Sequence, residues 1–122
     1  LTDQPEKVLA AEMIREKILR LTDKEIPHGT AVVIERMRTR DDCDILDIDA
    51  TIYCEKASHK GIIIGRGGSM LKKINDQSST DISKLFDGKK IILSLYVKVE
   101  EDWLNSQKQL FDLGYFSGDR DE

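Results

Sequence analysis

Cysteine, proline and aromatic residues are scarce in this chain of 122 residues, and their scarcity excludes several kinds of protein. There are two cysteines, two prolines and 6% aromatic residues. Cys43 and Cys54 form no CxxC pair, so we expect no disulfide scaffold, and two such thiols suit a reducing compartment. The two histidines, His28 and His59, lie far apart in the sequence with no cysteine cluster, so we expect no metal site. No Ser/His/Asp set or carboxylate pair has a spacing typical of catalysis, so we expect no catalytic residues.

Long apolar runs are also missing. No stretch approaches the roughly 20 apolar residues that a transmembrane helix needs. The first residues read Leu-Thr-Asp-Gln-Pro-Glu, which is not a signal-peptide pattern. The sequence therefore predicts a cytoplasmic protein. Because it does not begin with methionine, we interpret it as a piece of a longer protein or a processed one.

Positive charge is in the minority overall but is concentrated in one window. The net charge is −4 and the pI is about 5.2, which argues against nucleic acid as a ligand when taken alone. Residues 56–73 nevertheless contain no acid and five cations, Lys56, Lys60, Arg66, Lys72 and Lys73. A basic window on an acidic body can orient an anionic ligand onto that window.

Hydrophobic periodicity divides the chain into helices and strands. Helical spacing predicts helices over residues 4–20 and 69–85, and β-branched runs or strict alternation predict strands over 30–38, 46–54 and 91–99. The stretch 58–64 fits either a strand or a helix. The result is an α+β domain with the order α-β-β-(α)-α-β and one three-stranded sheet. We place the domain at residues 1–100, with the N-terminal helix and its connection in 1–29, and an ordered tail at 101–122 that frays at its end.

The sequence Gly65-Arg66-Gly67-Gly68 carries the clearest chemistry. Glycine has no Cβ, so three glycines in four positions let a ligand approach the backbone closely. The following helix presents its first N–H groups and the positive end of its dipole to the same space. Arg66, with Lys60 before it and Lys72 and Lys73 after it, completes an anion site suited to a phosphodiester backbone. The alternative is a Gly-rich turn between two helices, with solvated lysines.

Two other phosphate-binding loops do not fit this window. A nucleoside-triphosphatase loop needs Gly-x-x-x-x-Gly-Lys-Ser/Thr, and residues 61–67 have neither that spacing nor the Lys-Ser/Thr pair. A dinucleotide fingerprint needs a third glycine where this chain has Met70. The loop therefore predicts neither nucleotide site.

Residues 61–74, Gly-Ile-Ile-Ile-Gly-Arg-Gly-Gly-Ser-Met-Leu-Lys-Lys-Ile, resemble the signature of KH domains, Ile-Gly-x-x-Gly-x-x-(Leu/Ile)-x-x-Ile. The element order matches the type II KH topology, α-β-β-α-α-β with the helices packed on one face of the sheet. Other segments extend the resemblance over the whole chain. They are the opening helix, residues 24–28 (Lys-Glu-Ile-Pro-His), residues 97–99 (Val-Lys-Val) followed by Trp103, and residues 113–115 (Leu-Gly-Tyr). Together these segments are similar to the C-terminal domain of the Era family of bacterial GTPases.

This resemblance implies a domain that clamps about four nucleotides of single-stranded RNA by their backbone. In Era-type proteins the RNA is the 3′ end of 16S rRNA, bound during assembly of the small ribosomal subunit. GTP and Mg²⁺ belong to a separate N-terminal GTPase domain, so this chain would hold no cofactor and hydrolyse no GTP. The full-length protein would be a GTPase and could associate peripherally with the membrane. Carried over by position, the RNA-binding residues are Lys60, Gly61, Ile62, Ile63, Ile64, Gly65, Arg66, Gly67, Gly68, Lys72 and Lys73.

Two further functions stay open on sequence alone. The domain could be a protein-docking or regulatory module that uses its acidic surface. It could also be another type II KH protein of the small ribosomal subunit, although the N-terminal helix and the Trp103 tail speak against that. The sequence does not say which of Ile62, Ile63 and Ile64 lines the groove for the bases, and it favours packing against the sheet for Trp103.

Overall fold

The computed structural model describes residues 4–22 and 29–101. Within these ranges the elements are α1 (Gln4–Leu21), β1 (Ala31–Thr39), β2 (Ile45–Cys54), α2 (Ala57–Ile64), a 3-10 turn (Arg66–Gly68), α3 (Ser69–Leu85) and β3 (Lys90–Val99). The predicted order is confirmed, and the stretch that fitted either a strand or a helix is the helix α2. The predicted tail with Trp103, and His28, lie outside the described residues.

The three strands form one mixed sheet with the order β1-β2-β3. β1 and β2 are antiparallel, as their short polar link predicts, with Ala31 opposite Tyr53 and a register shift between Ile34 and Arg36. β2 and β3 are parallel, because the chain crosses over one face of the sheet through α2 and α3 before it returns. Among the described residues, β1 and β3 are therefore the two edges of the sheet, and the outer edge of β3 lies beside α3.

One face of the sheet and the apolar stripes of α1 and α3 form the core. The alternation predicted for β2 places one set of residues on a single face, and that set is buried: Leu46, Ile48, Ala50, Ile52 and Cys54. The helices contribute residues at helical spacing, and the fully buried ones are Ala10, Ile14 and Ile18 from α1 and Ile74, Ser78 and Ile82 from α3. Cys54 is thus a core residue, and burial raises the pKa of its thiol.

The outward face of β2 is less exposed than simple alternation predicts. Thr51 alternates with the core residues, yet it is only 5% exposed. The reason is its place in the central strand, where Val33 of β1 and Tyr96 of β3 stand opposite it on either side. The alternating pattern in the sequence therefore did not predict that Thr51 is buried.

An ion pair ties α1 to α3 at the edge of the core. The ammonium of Lys17, whose side chain is 7% exposed, donates hydrogen bonds to the Asp81 carboxylate and, at 2.8 Å, to Glu16 Oε1. In the described parts of the chain, no helix is long and apolar enough to span a membrane.

Candidate nucleic-acid interface

The helix α2 leads directly into the glycine loop. The backbone N–H of Gly65 donates to the carbonyl of Gly61 at 2.9 Å and so closes the last turn of the helix. Ile63 of this helix is fully buried, which fixes the helix against the core. The loop therefore leaves a rigid element at a defined point.

The loop turns sharply because its glycines adopt backbone angles that other residues avoid. Gly65 has φ 76° and ψ 177°, a region open essentially to glycine alone. A Cβ at Gly65 would lie 2.6 Å from Cβ and 2.8 Å from N of Met70. Gly67 and Gly68 have left-handed backbone angles, with φ of 61° and 81°, and the space around them is open. Glycine is thus required sterically at Gly65 and conformationally at the other two positions.

Two backbone N–H groups of the loop are available to a ligand. The N–H groups of Gly65 and Gly68 donate to the carbonyls of Gly61 and Gly65, and that of Ser69 donates to the carbonyl of Arg66. Within the described residues, the N–H groups of Arg66 and Gly67 donate to no backbone carbonyl. The free donors are therefore at the two middle positions of the Gly-x-x-Gly motif.

The N-terminus of α3 strengthens the attraction of this loop for anions. The helix begins after Gly68, without a side-chain cap and without an acidic residue in its first turn. Its positive dipole end is therefore not compensated locally. Arg66, which is exposed at the tip of the loop, makes no ion pair within the described residues. The loop can thus hold an anion with two amides, one helix terminus and one guanidinium.

A cleft continues from the loop between α3 and the edge strand β3. Its lining residues are Gly68, Leu71, Lys72, Asn75 and Asp76 on the helix side and Leu95 on the strand side, around a volume of about 350 Å³. Asn75 Nδ2 donates to the carbonyl oxygen of Leu93 at 2.7 Å. This bond holds the helix against the strand and forms the floor of the cleft.

The free edge of β3 supplies backbone donors and acceptors to the cleft. The N–H groups of Lys90 and Glu100 donate towards β2, to the carbonyls of Asp44 and Cys54. Backbone groups alternate in direction along a strand, so the odd-numbered residues of β3 direct theirs outward. Leu95 therefore offers an apolar side chain to the cleft, and its backbone groups at the edge have no strand partner among residues 4–22 and 29–101. Such an edge can hydrogen-bond a planar polar group.

Comparison with known proteins decides the family. A family model described as KH domain matches residues 25–104. The chain belongs to the KH domain family. The sequence predicted the Gly-x-x-Gly loop, the helices on either side of it and a three-stranded sheet for a type II KH domain, and that fold is confirmed.

Individual relatives with this KH domain are bacterial GTPases. The chain is 59% identical over 115 residues to the GTPase Era of Alkaliphilus oremlandii, covering 94% of this chain and 39% of that protein. It is 53% identical to the GTPase Era of Clostridioides difficile, with 94% and 38% covered. The chain therefore spans about two-fifths of the length of these curated relatives, and it corresponds to their C-terminal part. The match is to their KH domain, as predicted, and not to the GTP-hydrolysing part.

Two solved structures share the fold of this KH domain. A crystal structure of an Era variant from Aquifex aeolicus bound to GDP and AlF4− is 34% identical, with a TM-score of 0.76, and covers 89% of this chain and 36% of that one. A crystal structure of Era in complex with MgGDPNP and nucleotides 1506–1542 of 16S ribosomal RNA is 35% identical, with a TM-score of 0.78. It covers 93% of this chain and 37% of that one.

The three isoleucines predicted to bind RNA differ in their burial. Ile63 is fully buried in the core, whereas Ile62 and Ile64 are half-buried. Gly61 is exposed within α2 and has open space around it. The side chains of Ile62 and Ile64 are therefore the ones that retain surface beside the loop.

The predicted lysines do not converge on one point. Lys72 lines the cleft, but its ammonium is 3.0 Å from the carboxylate of Asp76. Lys73 is exposed and lies outside the stripe of α3 that faces the cleft. Lys60 lies close enough to Cys54 for its charge to lower the pKa of the thiol, against the larger, opposite effect of burial. Arg66 is thus the cation that the loop itself presents.

The sequence analysis missed four residues of the cleft, Leu71, Asn75, Asp76 and Leu95. Leu71 and Leu95 fit the core periodicity of their elements, a pattern that indicates packing rather than binding. Asn75 was not singled out, although its place four residues after Leu71 on the same helix face put a polar group beside the predicted core. That spacing is the signal that could have found it.

Proposed function

We propose that this KH domain binds single-stranded RNA, with the sugar-phosphate backbone on the loop from Gly65 to Gly68 and the bases in the cleft between α3 and β3. The observation that carries this proposal is the pair of free amides at Arg66 and Gly67, beside an uncompensated helix N-terminus. Phosphate oxygens accept hydrogen bonds from such donors. A neighbouring cleft with apolar walls and a polar edge suits unstacked bases.

The expected roles of individual residues follow from their positions. Arg66 contacts a phosphate directly. Lys72 exchanges its exposed partner Asp76 for a phosphate, since surface ion pairs of this kind contribute little. Ile62 and Ile64 meet the bases at the loop end of the cleft, while Ile63 acts through the core. Lys60 and Lys73 add long-range attraction to the anion.

The similarity to Era supports a more specific RNA. One Era structure contains nucleotides of 16S ribosomal RNA, and this chain is similar to it over most of its length. We propose that the RNA is the 3′ end of 16S rRNA and that the protein acts in assembly of the small ribosomal subunit. GTP and Mg²⁺ would then be bound by the remaining part of a longer Era-type protein.

A matched pair of double variants tests the role of the loop. Arg66→Asp/Gly67→Asp adds two negative charges where the phosphate would lie. The control Arg38→Gln/Lys98→Asp makes the same change in charge at two exposed residues on the sheet face opposite the helices. The ligand is a four-nucleotide single strand from the 3′ end of 16S rRNA, titrated while the amide resonances are followed by NMR.

The wild-type protein should show shifts concentrated in residues 60–75 and 95. Three or four phosphate contacts should give a log–log slope of affinity against salt of roughly −2 to −3. The loop variant should lose binding although its amide spectrum shows that it is still folded, and the control should keep binding. Equal RNA binding by the loop variant and the wild type would refute the proposal.

A further inference from the structure

The side-chain amide of Asn75 is held in one orientation at the floor of the cleft. Its Nδ2 donates to the carbonyl oxygen of Leu93 at 2.7 Å, and its Oδ1 accepts a hydrogen bond from Ser79 Oγ at 3.2 Å. Because a carbonyl oxygen only accepts, the amide nitrogen has to face β3. A rotation of the amide by 180° would set Oδ1 against the Leu93 carbonyl, where neither oxygen donates. The donor and the acceptor of Asn75 therefore keep fixed places.

These two bonds use half of the hydrogen-bonding capacity of the amide. A side-chain amide has two N–H groups and two acceptor lone pairs. The bond to Leu93 takes one N–H, and the bond from Ser79 takes one lone pair. Asn75 is half-buried and lines the cleft. One N–H and one lone pair are therefore left for a ligand there.

Asn75 changes what the edge of β3 offers to a base. The backbone groups of Leu93 and Leu95 both face outward, but the Leu93 carbonyl is occupied by Asn75. A bare backbone acceptor is thus replaced by a side-chain donor beside an acceptor. The other polar residues of the cleft, Lys72 and Asp76, have side chains that are 76% and 63% exposed and pair with each other. Water competes for such exposed groups, so Asn75 is the better-fixed polar contact.

The four RNA bases differ in the order of donor and acceptor on their Watson–Crick edges. In adenine and cytosine a ring-nitrogen acceptor lies beside an amino donor, whereas in uracil and guanine a ring N–H lies beside a carbonyl oxygen. An amide that is free to turn can match either order. An amide that cannot turn matches one order, when the backbone of the nucleotide is already held by the loop.

We propose that Asn75, with Ser79 as its positioning residue, selects adenine or cytosine over uracil or guanine at the base that lies over it. This inference rests on the proposed function, because it concerns the bases of the same RNA. The favoured base accepts from the remaining N–H of Asn75 and donates its amino group to the remaining lone pair of Oδ1. A base of the other class leaves that partly buried N–H without an acceptor, which is costly.

Strands with single base replacements test the selection by Asn75. In a four-nucleotide strand from the 3′ end of 16S rRNA, each position in turn carries adenine or uracil, and the affinity ratio of the two strands is measured. At one position the wild type should prefer adenine roughly 5- to 150-fold, the range of one well-placed base contact. Asn75→Ala should weaken both strands and bring the ratio at that position close to one. If Asn75 were only structural, both strands would weaken equally and the ratio would persist.

The positioning role of Ser79 has its own variants. Ser79→Ala should reduce the ratio roughly two- to tenfold, as the loss of one hydrogen bond would give, and Ser79→Thr, which keeps a hydroxyl, should restore it. The matched control is Ser83→Ala, which removes a serine bond of the same helix, to the carbonyl of Lys89 at 2.6 Å. This control should keep the wild-type ratio.

The outcomes separate this inference from the proposed function. If the wild type binds none of the four-nucleotide strands, the RNA-binding proposal and the selection by Asn75 both fail. If it binds them but prefers adenine at no position, or if Asn75→Ala keeps the preference, RNA binding stands and the selection is refuted. A ratio that falls as far in Ser83→Ala as in Ser79→Ala would refute the positioning role of Ser79.

Discussion

Replacing glycines of the KH motif one at a time by alanine should give three different results, because each glycine has a different surrounding. Gly65 has φ 76°, and an added Cβ would meet the Cβ and backbone of Met70 at 2.6–2.8 Å. Gly67 has φ 61° but open space, and Gly61 lies within α2 with nothing near it. The three positions thus separate steric clash, backbone strain and helix propensity.

The expected magnitudes follow from these surroundings. Gly65→Ala should lower the free energy of unfolding by about 2–6 kcal/mol, since a Gly-only conformation and overpacking each cost about 1–3 kcal/mol. Gly67→Ala should lower it by about 1–2 kcal/mol, the cost of a left-handed non-glycine residue. Gly61→Ala should raise it by about 0.5–1 kcal/mol, because alanine favours a helix interior over glycine.

Urea unfolding of the three variants measures this order. With a slope of about 2 kcal/mol per molar urea, a loss of 2 kcal/mol moves the midpoint down by about 1 M. RNA titration of the same variants shows whether the RNA contacts Gly61. The Gly61→Ala protein should be more stable than the wild type. It should bind RNA more weakly only if the strand touches α2 at this position. A Gly65→Ala midpoint no lower than that of Gly67→Ala would refute the loop geometry.

Three further predictions concern the contacts of α3. The hydrogen bond between Lys17 of α1 and Asp81 of α3 lowers the pKa of Asp81 from 3.8 and raises that of Lys17 from 10.5. Their stabilisation should therefore be lost as the pH falls below 3.8 or rises above 10.5. In a pH series of urea midpoints, Asp81→Asn should remove the acidic change and reduce the alkaline one, because Glu16 still raises the pKa of Lys17. Ser78 is fully buried and its hydroxyl has no partner within the described residues, so Ser78→Ala should raise the unfolding free energy by about 1 kcal/mol; a loss in calorimetry would contradict this. Asn75→Ala should cost about 1–2 kcal/mol and weaken RNA binding, because the Leu93 carbonyl loses its partner; unchanged hydrogen exchange along β3 would contradict it.

The sequence was most informative where periodicity runs long. The 17 residues of α3 repeat their apolar positions over several turns, and the predicted bounds agree with the observed helix. The eight residues of α2 are too few for such a signal, and their three isoleucines suit a strand equally well. The family resemblance resolved this ambiguity, whereas the pattern alone did not.

The parts of the site that depend on neighbours in space could not be predicted. The parallel pairing of β2 with β3 places Leu95 at an edge beside α3, and nothing local to β3 encodes that order. Which loop amides are free depends on bonds to Gly61 and Gly65, which follow from the backbone angles rather than from residue types. The ion pair of Lys72 with Asp76 has the i, i+4 spacing of a helix pair, so that contact could have been anticipated.

Charge organisation explains how a domain with a net charge of −4 can still attract RNA. On the sheet face opposite the helices, acids and arginines neutralise each other in pairs: Arg36 Nε with Asp49 Oδ2 at 3.0 Å, and Arg40 Nε with Asp47 Oδ2 at 2.8 Å. These pairs occupy two guanidinium groups of that face, and a third, Arg38, is exposed opposite Asp47 in the neighbouring strand. Arg66, in contrast, is exposed at the tip of the glycine loop and has no acidic partner among the described residues. A local excess of unpaired cations, rather than the net charge, determines where a polyanion settles, since charges further apart than about 10 Å are largely screened at 0.1 M salt.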